Sequence, residues 1–358
     1  MVNYKVMRYC LVFFLSALLL GCGTFGSRLL PKNHQAFNIA ASQSYDEQLL
    51  LNIVRLHYVD RPFFLKISSI NSQFSISPSL NMQAGFKEES ANLSPIEAFV
   101  RKNIRYAETP TISYTPLQGS AFTLQVLEPM SVSQIYTLIR SGWSIARVLR
   151  VCAQQIEHLE NALNANRPFS KHVPQYQDFI DFAHYLRYLE RNRLVSISAR
   201  RVKKKLLLEL SFKHYTPPKI VKLLHLKQPQ KVILLGQGHF DRDDVISIRL
   251  RSFIGILYYL SKSVSTPPDD IKKRRIQLTR YQNGKLFDWD NVTKGMLKVF
   301  YSQKEPQNAN IKVYYRNRWF YISDSDQSSK QTMSLLNQLF ALQADDSSST
   351  GPVLTLPL

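Results

Sequence analysis

Apolar positions along the chain recur at helical spacing in some windows and alternate in others, and polar punctuation separates them. Ser44-Tyr45-Asp46-Glu47 reads as a capping box, in which a serine and a glutamate three residues on satisfy each other's backbone donors. The helix it starts carries Leu49, Leu50, Ile53, Val54 and Leu56 on a broad apolar face, and Pro62 stops any continuation. Phe63–Ser69 and Gln73–Ser77 have strand length and patterning, Ser94-Pro95-Ile96-Glu97 is a second capping box, and Thr111–Thr115 is a short strand between prolines. Ser131–Gln134 forms a third box leading into Ile135, Leu138 and Ile139. Gly142 breaks that helix, and Ser144 caps the next, which runs through Val148, Leu149, Ile156 and Leu159.

A polar stretch at Asn164-Ala165-Asn166-Arg167-Pro168 is the best candidate for a domain boundary. Beyond it, Tyr176–Asn192 carries Phe179, Phe182, Leu186 and Leu189 at helical spacing, and Leu194–Ile197, Leu206–Phe212 and Val232–Leu235 read as strands. Arg251–Ser261 is a second helix. Met296–Tyr301, Lys312–Tyr315 and Trp319–Ile322 are antiparallel strands, with Asn317-Arg318 at the last turn. A closing helix, Ser328–Leu342, turns Leu335, Leu336, Leu339 and Phe340 toward the sheet, and the ring of Trp319 is expected between the two. The predicted fold is α+β. A helix-rich domain with a small sheet spans 42–164, and a basic domain spans 174–343, with a mainly antiparallel sheet packed with helices. Residues 344–358 form a flexible tail.

The first residues add a compartment. Lys5 and Arg8 precede an uncharged, mostly apolar run, Leu11–Leu20, too short to cross a bilayer, which needs about 20 apolar residues. The run closes on Leu19-Leu20-Gly21-Cys22, which resembles the lipobox of bacterial lipoproteins. That resemblance implies a signal peptide over 1–21, cleavage after Gly21, and Cys22 diacylated on sulfur and acylated at the new N-terminus. A lipid-anchored linker would follow over 22–41. The other reading is an uncleaved membrane helix with an incidental cysteine. By analogy with enteric lipoproteins, where Asp after the cysteine retains the protein at the inner membrane, Gly23 favours the outer membrane, facing the periplasm. No later segment is apolar for long enough to span a membrane.

Cysteine count then removes whole classes of chemistry. Cys10 leaves with the leader and Cys22 takes lipid, so only Cys152 remains; neither an internal disulfide nor a cysteine zinc site can form. Cys152 falls within an apolar helical pattern, where a buried, inert thiol is expected. Charge points to a partner. The chain carries +20, and Arg187–Lys231 holds 13 Lys and Arg against Glu190 and Glu209. Such an excess reads as a surface for an acidic partner, with Arg200, Arg201, Lys203, Lys204 and Lys205 as its densest run.

Several segments resemble a family of uncharacterised proteobacterial lipoproteins. The similarity rests on Leu51-Asn52-Ile53-Val54-Arg55-Leu56, Pro62-Phe63-Phe64-Leu65, Ser68-Ser69-Ile70, Pro110–Gly119, and Ser141-Gly142-Trp143. It continues at Arg251-Ser252, Gly255–Leu260, Trp319–Ile322, Ser329-Lys330 and Leu354-Thr355-Leu356-Pro357. The family has no assigned biochemistry, so the resemblance implies an envelope lipoprotein and no activity. The run Arg200–Lys205 lies outside the matched pattern.

Catalytic patterns are sparse. The eight histidines include no pair at i, i+4, and no G-x-S-x-G elbow occurs. Gly236-Gln237-Gly238 follows a strand, but Asp241 stands where a dinucleotide loop has its third glycine, so a tight turn is the better reading. Asp241-Arg242-Asp243-Asp244 lacks EF-hand spacing, and Asp324 and Asp326 suit capping of the last helix. Tyr314, Tyr315, Trp319, Phe320 and Tyr321 suit hairpin packing, though Arg316 and Arg318 beside them permit stacking on a base or sugar.

The sequence therefore predicts a membrane-attached binding or structural protein with no cofactor or metal. Its expected partners are anionic lipid headgroups or envelope polymers, and other envelope proteins. An envelope hydrolase acting on glycan or peptide, and extracytoplasmic binding of nucleic acid, stand as alternatives.

Overall fold

A computed structural model describes residues 25–83, 99–166, 172–202, 204–238, 240, 242 and 244–344, with side chains outside 25–34, 71–83, 99–110 and 344. The lipobox, the box at Ser94, and the tail from Asp345 lie outside the described residues. The described chain forms two compact units, one of residues up to Pro62 and from Gly119 onward, the other Phe63–Gln118. The smaller unit is a long hairpin. β1 (Leu65–Gln83) pairs antiparallel with β2 (Phe99–Pro116) from Leu65↔Pro116 to Gln83↔Phe99. Ser68 is the extra residue of a bulge between Ile67 and Ser69, and its hydroxyl donates to the Ser113 carbonyl at 3.0 Å. The two short strands read at 63–77, and the one at 111–115, are parts of these continuous strands.

In the larger unit, α1 runs Phe25–His57, where the composition predicts a linker to Ala41 and a start at Ser44. No Gly or Pro interrupts 35–57, and Ala36, Ala40 and Ala41 favour helix. Glu47 accepts from Gln43 Nε2 one turn earlier, at 2.8 Å, so it serves the helix as a side-chain pair rather than as half of a box. The box at Ser131 does form and starts the second of α2 (Ser120–Leu127), α3 (Val132–Arg140) and α4 (Ile145–Cys152). Ser131 Oγ accepts from the Gln134 amide, and Gln134 Oε1 from the Ser131 amide. Gly142 separates α3 from α4 with φ +100°.

The expected helix 145–159 stops at Cys152, and the chain turns into β3 (Ala153–Ile156) and β4 (Leu159–Glu160). Arg251 explains the stop. Its guanidinium, buried to 1 % exposure, donates to the carbonyls of Arg150, Val151, Ala153 and Asn161 and to Asn166 Oδ1, and stacks on Tyr259 at 4.1 Å. The orphan carbonyls of the helix end are thus taken by a cation, which the C-terminal dipole also favours.

After α5 (Gln177–Arg191), strands β5 (Val195–Val202) and β6 (Lys205–Phe212) form a hairpin. Then follow α6 (Pro218–Leu223), β7 (Val232–Gly236) and β8 (Val245–Leu250). The six-stranded sheet has the order β4-β3-β8-β7-β6-β5, antiparallel except for the parallel pair β7–β8. β3 from one side of residue 165 pairs with β8 from the other, so the predicted boundary falls inside this unit. Ile233, Leu234 and Leu235 are all buried, as a strand covered on both faces requires.

α7 (Phe253–Ser261) packs against α1, where Leu49, Leu50, Ile53 and Val54 meet a face bearing Ile256, Leu257 and Leu260, all at 1 % exposure or less. Short helices α8 (Pro268–Lys272) and α9 (Asp290–Thr293) precede a three-stranded sheet. Its strands β9 (Phe300–Ser302), β10 (Ala309–Tyr315) and β11 (Arg318–Ser323) are ordered β10-β11-β9, and α10 (Gln327–Ala344) closes the unit. The last hairpin turns at Arg316-Asn317, both with positive φ, one residue before the expected place. Phe320 and Ile322 are the buried residues of β11, and Trp319 lies on the other face, half-buried and packed on its cross-strand partner Tyr314 at 5.3 Å. Phe320, not Trp319, is the ring in the core. Among the described residues no helix is long and apolar enough to cross a membrane. The architecture is α+β.

Candidate functional site

Four of the five predicted cations are described; Cys22 and Lys203 lie outside the described residues. Arg200 and Arg201 are exposed on β5, the edge strand of the large sheet, and Lys204 and Lys205 are exposed at the turn into β6. They are not equivalent. Arg200 Nε bonds Glu209 Oε2, and Ser211 Oγ donates to the other oxygen at 2.8 Å. Burial pushes the Glu209 carboxyl up, but these hydrogen bonds and the Arg200 charge outweigh it and hold it below the usual carboxylate range. Lys205 Nζ lies over the Phe240 ring at 4.9 Å. Arg201 and Lys204 have no hydrogen bond or carboxylate among the described residues, so their charge faces solvent.

The rest of the basic stretch surrounds this hairpin. α5 packs against β5 and α6, which brings Arg191, Arg193, Lys219 and Lys222 onto neighbouring exposed positions. Glu190 is occupied by Arg187 at 2.5 Å. Both acidic residues of the segment are therefore paired with arginines of the same segment. Exposed tyrosines interleave with the cations: Tyr188 is 56 % and Tyr215 60 % exposed. Tyr188 stacks with Tyr185 at 5.9 Å, Lys219 lies 5.1 Å from the Tyr185 ring, and Lys231 lies 5.7 Å from that of Tyr215. Pattern reading finds the charges but misses the tyrosines. The i, i+3 pair Tyr185/Tyr188 was the available signal, since it places two rings on the polar side of an otherwise well-patterned helix.

The concave part of this region is a cavity of about 740 Å³, where His225, Lys227, Arg242 and Arg249 line one space with Glu157. His225 stacks on His158, with centroids 3.9 Å apart. Arg242 is held by both oxygens of Asp244, at 2.8 and 2.6 Å. That pairing occupies the one carboxylate of the Asp241–Asp244 cluster that is described; Asp241 and Asp243 lie outside the described residues. What the region offers chemically is donors and cations around a space, suited to phosphate or carboxylate oxygens.

The other candidates resolve into structure. Gly238 has φ +95°, and Gln237 beside it donates to the Met130 carbonyl at 2.8 Å and accepts from the Val132 amide, so the turn ties β7 to the start of α3. Asp326 accepts from the amides of Ser328 and Ser329 at 3.1 Å, capping α10. Asp324 takes Lys330 Nζ at 2.7 Å. Cys152 is wholly buried, which pushes its thiol up to about 12. Among the described residues, no three His, Cys, Asp or Glu side chains converge to hold a metal. No family model matches the chain, and no curated protein or solved structure matches it significantly.

Proposed function

We propose that this chain is a lipid-anchored protein of the bacterial envelope, tethered by Cys22 to the outer membrane on its periplasmic side. There its basic face binds anionic lipid headgroups or acidic envelope polymer. The observation that carries the reading is the charge arrangement of 187–231: 13 cations, two acids, and both acids consumed within the segment. Arg201 and Lys204 face solvent with no hydrogen bond or carboxylate among the described residues, and the exposed tyrosines of the segment suit an interfacial surface with one wet and one apolar side. A binding or structural role, with other envelope proteins as further partners, follows more directly than catalysis.

The test is sedimentation of a chain beginning at Gly23 with vesicles of anionic or neutral phospholipid, with a soluble acidic polysaccharide as competitor. Binding should be confined to anionic vesicles and weaken steeply with salt, because exposed charges are screened over about 8 Å at physiological ionic strength. Each Lys or Arg near an anionic surface contributes about 1 kcal/mol. Neutralising Arg200, Arg201, Lys203, Lys204 and Lys205 together should then weaken binding by roughly three to four orders of magnitude. Equal retention on neutral and anionic vesicles at low salt would remove the proposal.

A further inference from the structure

A second site lies where the residues after α7 fold back over the end of α1. His57 is the last residue of α1; Nδ1 is 3.1 Å from the Ser261 carbonyl and Nε2 is 3.0 Å from Thr266 Oγ1. The carbonyl can only accept, so Nδ1 carries a proton; burial pulls the ring down to about 4, so at neutral pH Nε2 is bare and accepts from the threonine hydroxyl. Beside it is a cavity of about 210 Å³ whose lining includes Lys262, Gln277, Trp289 and Phe287.

Its polar groups do not satisfy one another. Lys262 has no hydrogen bond and no carboxylate among the described residues; its Nζ lies 5.6 Å from the centre of the Trp289 ring. The nearby acids are engaged, Asp290 by Lys298 Nζ at 2.5 Å and Asp288 by the Asp290 amide at 2.9 Å. Gln277 Oε1 is buried without a donor. Trp289 Nε1, by contrast, donates to Thr279 Oγ1 at 3.2 Å. The cavity thus presents three unused N–H donors on one cation and one buried acceptor without a donor, in a lining of mixed polar and aromatic side chains. Buried polar groups in folded proteins are normally paired, and the exceptions mark sites that something else completes.

We propose that this pocket binds a small hydroxycarboxylate, its carboxylate taken by Lys262 and its hydroxyl donated to Gln277 Oε1. A carboxylate supplies the acceptor that the ammonium lacks, and a hydroxyl supplies the donor that the amide oxygen lacks. The volume is below the 300–1,000 Å³ typical of pockets for larger ligands, which fits an acid of a few carbons. Burial without a counter-ion also pulls the Lys262 amine down to about 8 from 10.5, the condition that an arriving carboxylate reverses. His57, driven down to about 4 by burial and then by the Lys262 charge, stays neutral throughout and does not compete for the anion.

The experiment is acetylation of Lys262 in the full-length protein at pH 8 by an activated acetyl ester. Peptide mass spectrometry reads it with lactate, propionate or lactamide present at millimolar concentration. Lactate should slow labelling of Lys262 severalfold without changing that of surface lysines. Propionate, which lacks the donor, and lactamide, which lacks the charge, should each need about tenfold more, the order of one lost bond to a buried partner. Gln277→Leu should erase the difference between lactate and propionate, and Lys262→Met, checked for folding by its melt, should abolish calorimetric binding of lactate. At pH 8.5 that binding should take up a proton, seen as a heat that depends on the buffer. No protection of Lys262 by lactate, or protection equal to that by propionate, would overturn the assignment.

Discussion

Replacing Lys262 by Met should make the unliganded protein more stable at neutral pH. Methionine keeps the unbranched stem along Trp289 and removes the ammonium, which has no counter-ion in the described structure. The amine's ordinary value of 10.5 falls to about 8 in the fold. At 1.36 kcal/mol per tenfold change, that gap corresponds to about 3 kcal/mol held against the folded state; screening at the pocket mouth reduces it to roughly 2. The lost contact with the Trp289 ring returns about 0.5–1 kcal/mol, so the net gain is about 1–2 kcal/mol, or a melting temperature higher by roughly 3 °C. Below pH 8 both folded and unfolded chains carry the proton, and the fold bears the whole penalty. Between about 8 and 10.5 the unfolded chain binds more proton than the folded one, so wild-type stability rises with pH relative to the variant. The advantage of Lys262→Met should therefore be full at pH 7 and shrink through that window. Denaturant unfolding of both proteins at pH 7 and pH 9.5 checks this. A variant less stable than wild type at pH 7, or a difference that does not change with pH, would refute the reasoning.

Other outcomes follow from the same geometry. His57 is neutral in the fold with a value near 4 against 6.5 unfolded, so wild-type stability should fall as pH drops from 6.5 through 4; His57→Gln should show a shallower acid slope in urea unfolding, and equal slopes would count against the assignment. Arg251→Met leaves the carbonyls of Val151 and Asn161 without their side-chain donor, while those of Arg150 and Ala153 keep Asn161 Nδ2; it should cost at least about 3 kcal/mol, and Arg251→Lys should recover little, because one ammonium cannot reach the spread of acceptors that the fork spans. Phe320→Ala should cost about 3–5 kcal/mol by thermal melt and Trp319→Ala clearly less, the reverse of the order expected from the sequence. Cys22→Ser should abolish metabolic labelling with a palmitate analogue; undiminished label would remove the lipid anchor.

Much of the fold was legible because local chemistry and tertiary packing agree. The Ser131 box, Gly142, the apolar stripe of α5, strands β5, β6 and β7, and the Asp326 cap all lie where pattern places them. The failures have identifiable causes. Ile156 and Leu159 stand three apart, as on a helix face, yet they are opposed residues across a two-residue hairpin turn, where Glu157 has φ +50°. A tight turn brings i and i+3 together just as a helix does, so spacing alone cannot separate them. β8 was missed because Val245–Leu250 follows a charged cluster that reads as loop. In β11 a period of two leaves the inward face undetermined until the neighbours are known; Tyr58, 6.1 Å from the Phe320 ring, decides it.

Several segments that the sequence reading sets apart turn out to serve the fold itself. Arg251 ends one helix and Ser252 caps the next, accepting from the Gly255 amide at 3.1 Å. A Cβ at Gly255 would meet that hydroxyl at 3.2 Å, so Arg-Ser-x-x-Gly is a packing requirement. Trp143 donates to Gln338 on α10 at 2.7 Å, and Ser329 Oγ accepts from the Lys298 amide at 2.9 Å, joining the last helix to the strand region. Each of these side chains is saturated by the fold itself. The groups left with capacity are elsewhere: Arg201 and Lys204 on the sheet edge, Lys262 and Gln277 in the small cavity. None of those four falls in a matched segment. Groups left unsatisfied by the fold are invisible to a pattern built from satisfied ones, so a search for binding chemistry has to start from the structure rather than from those segments.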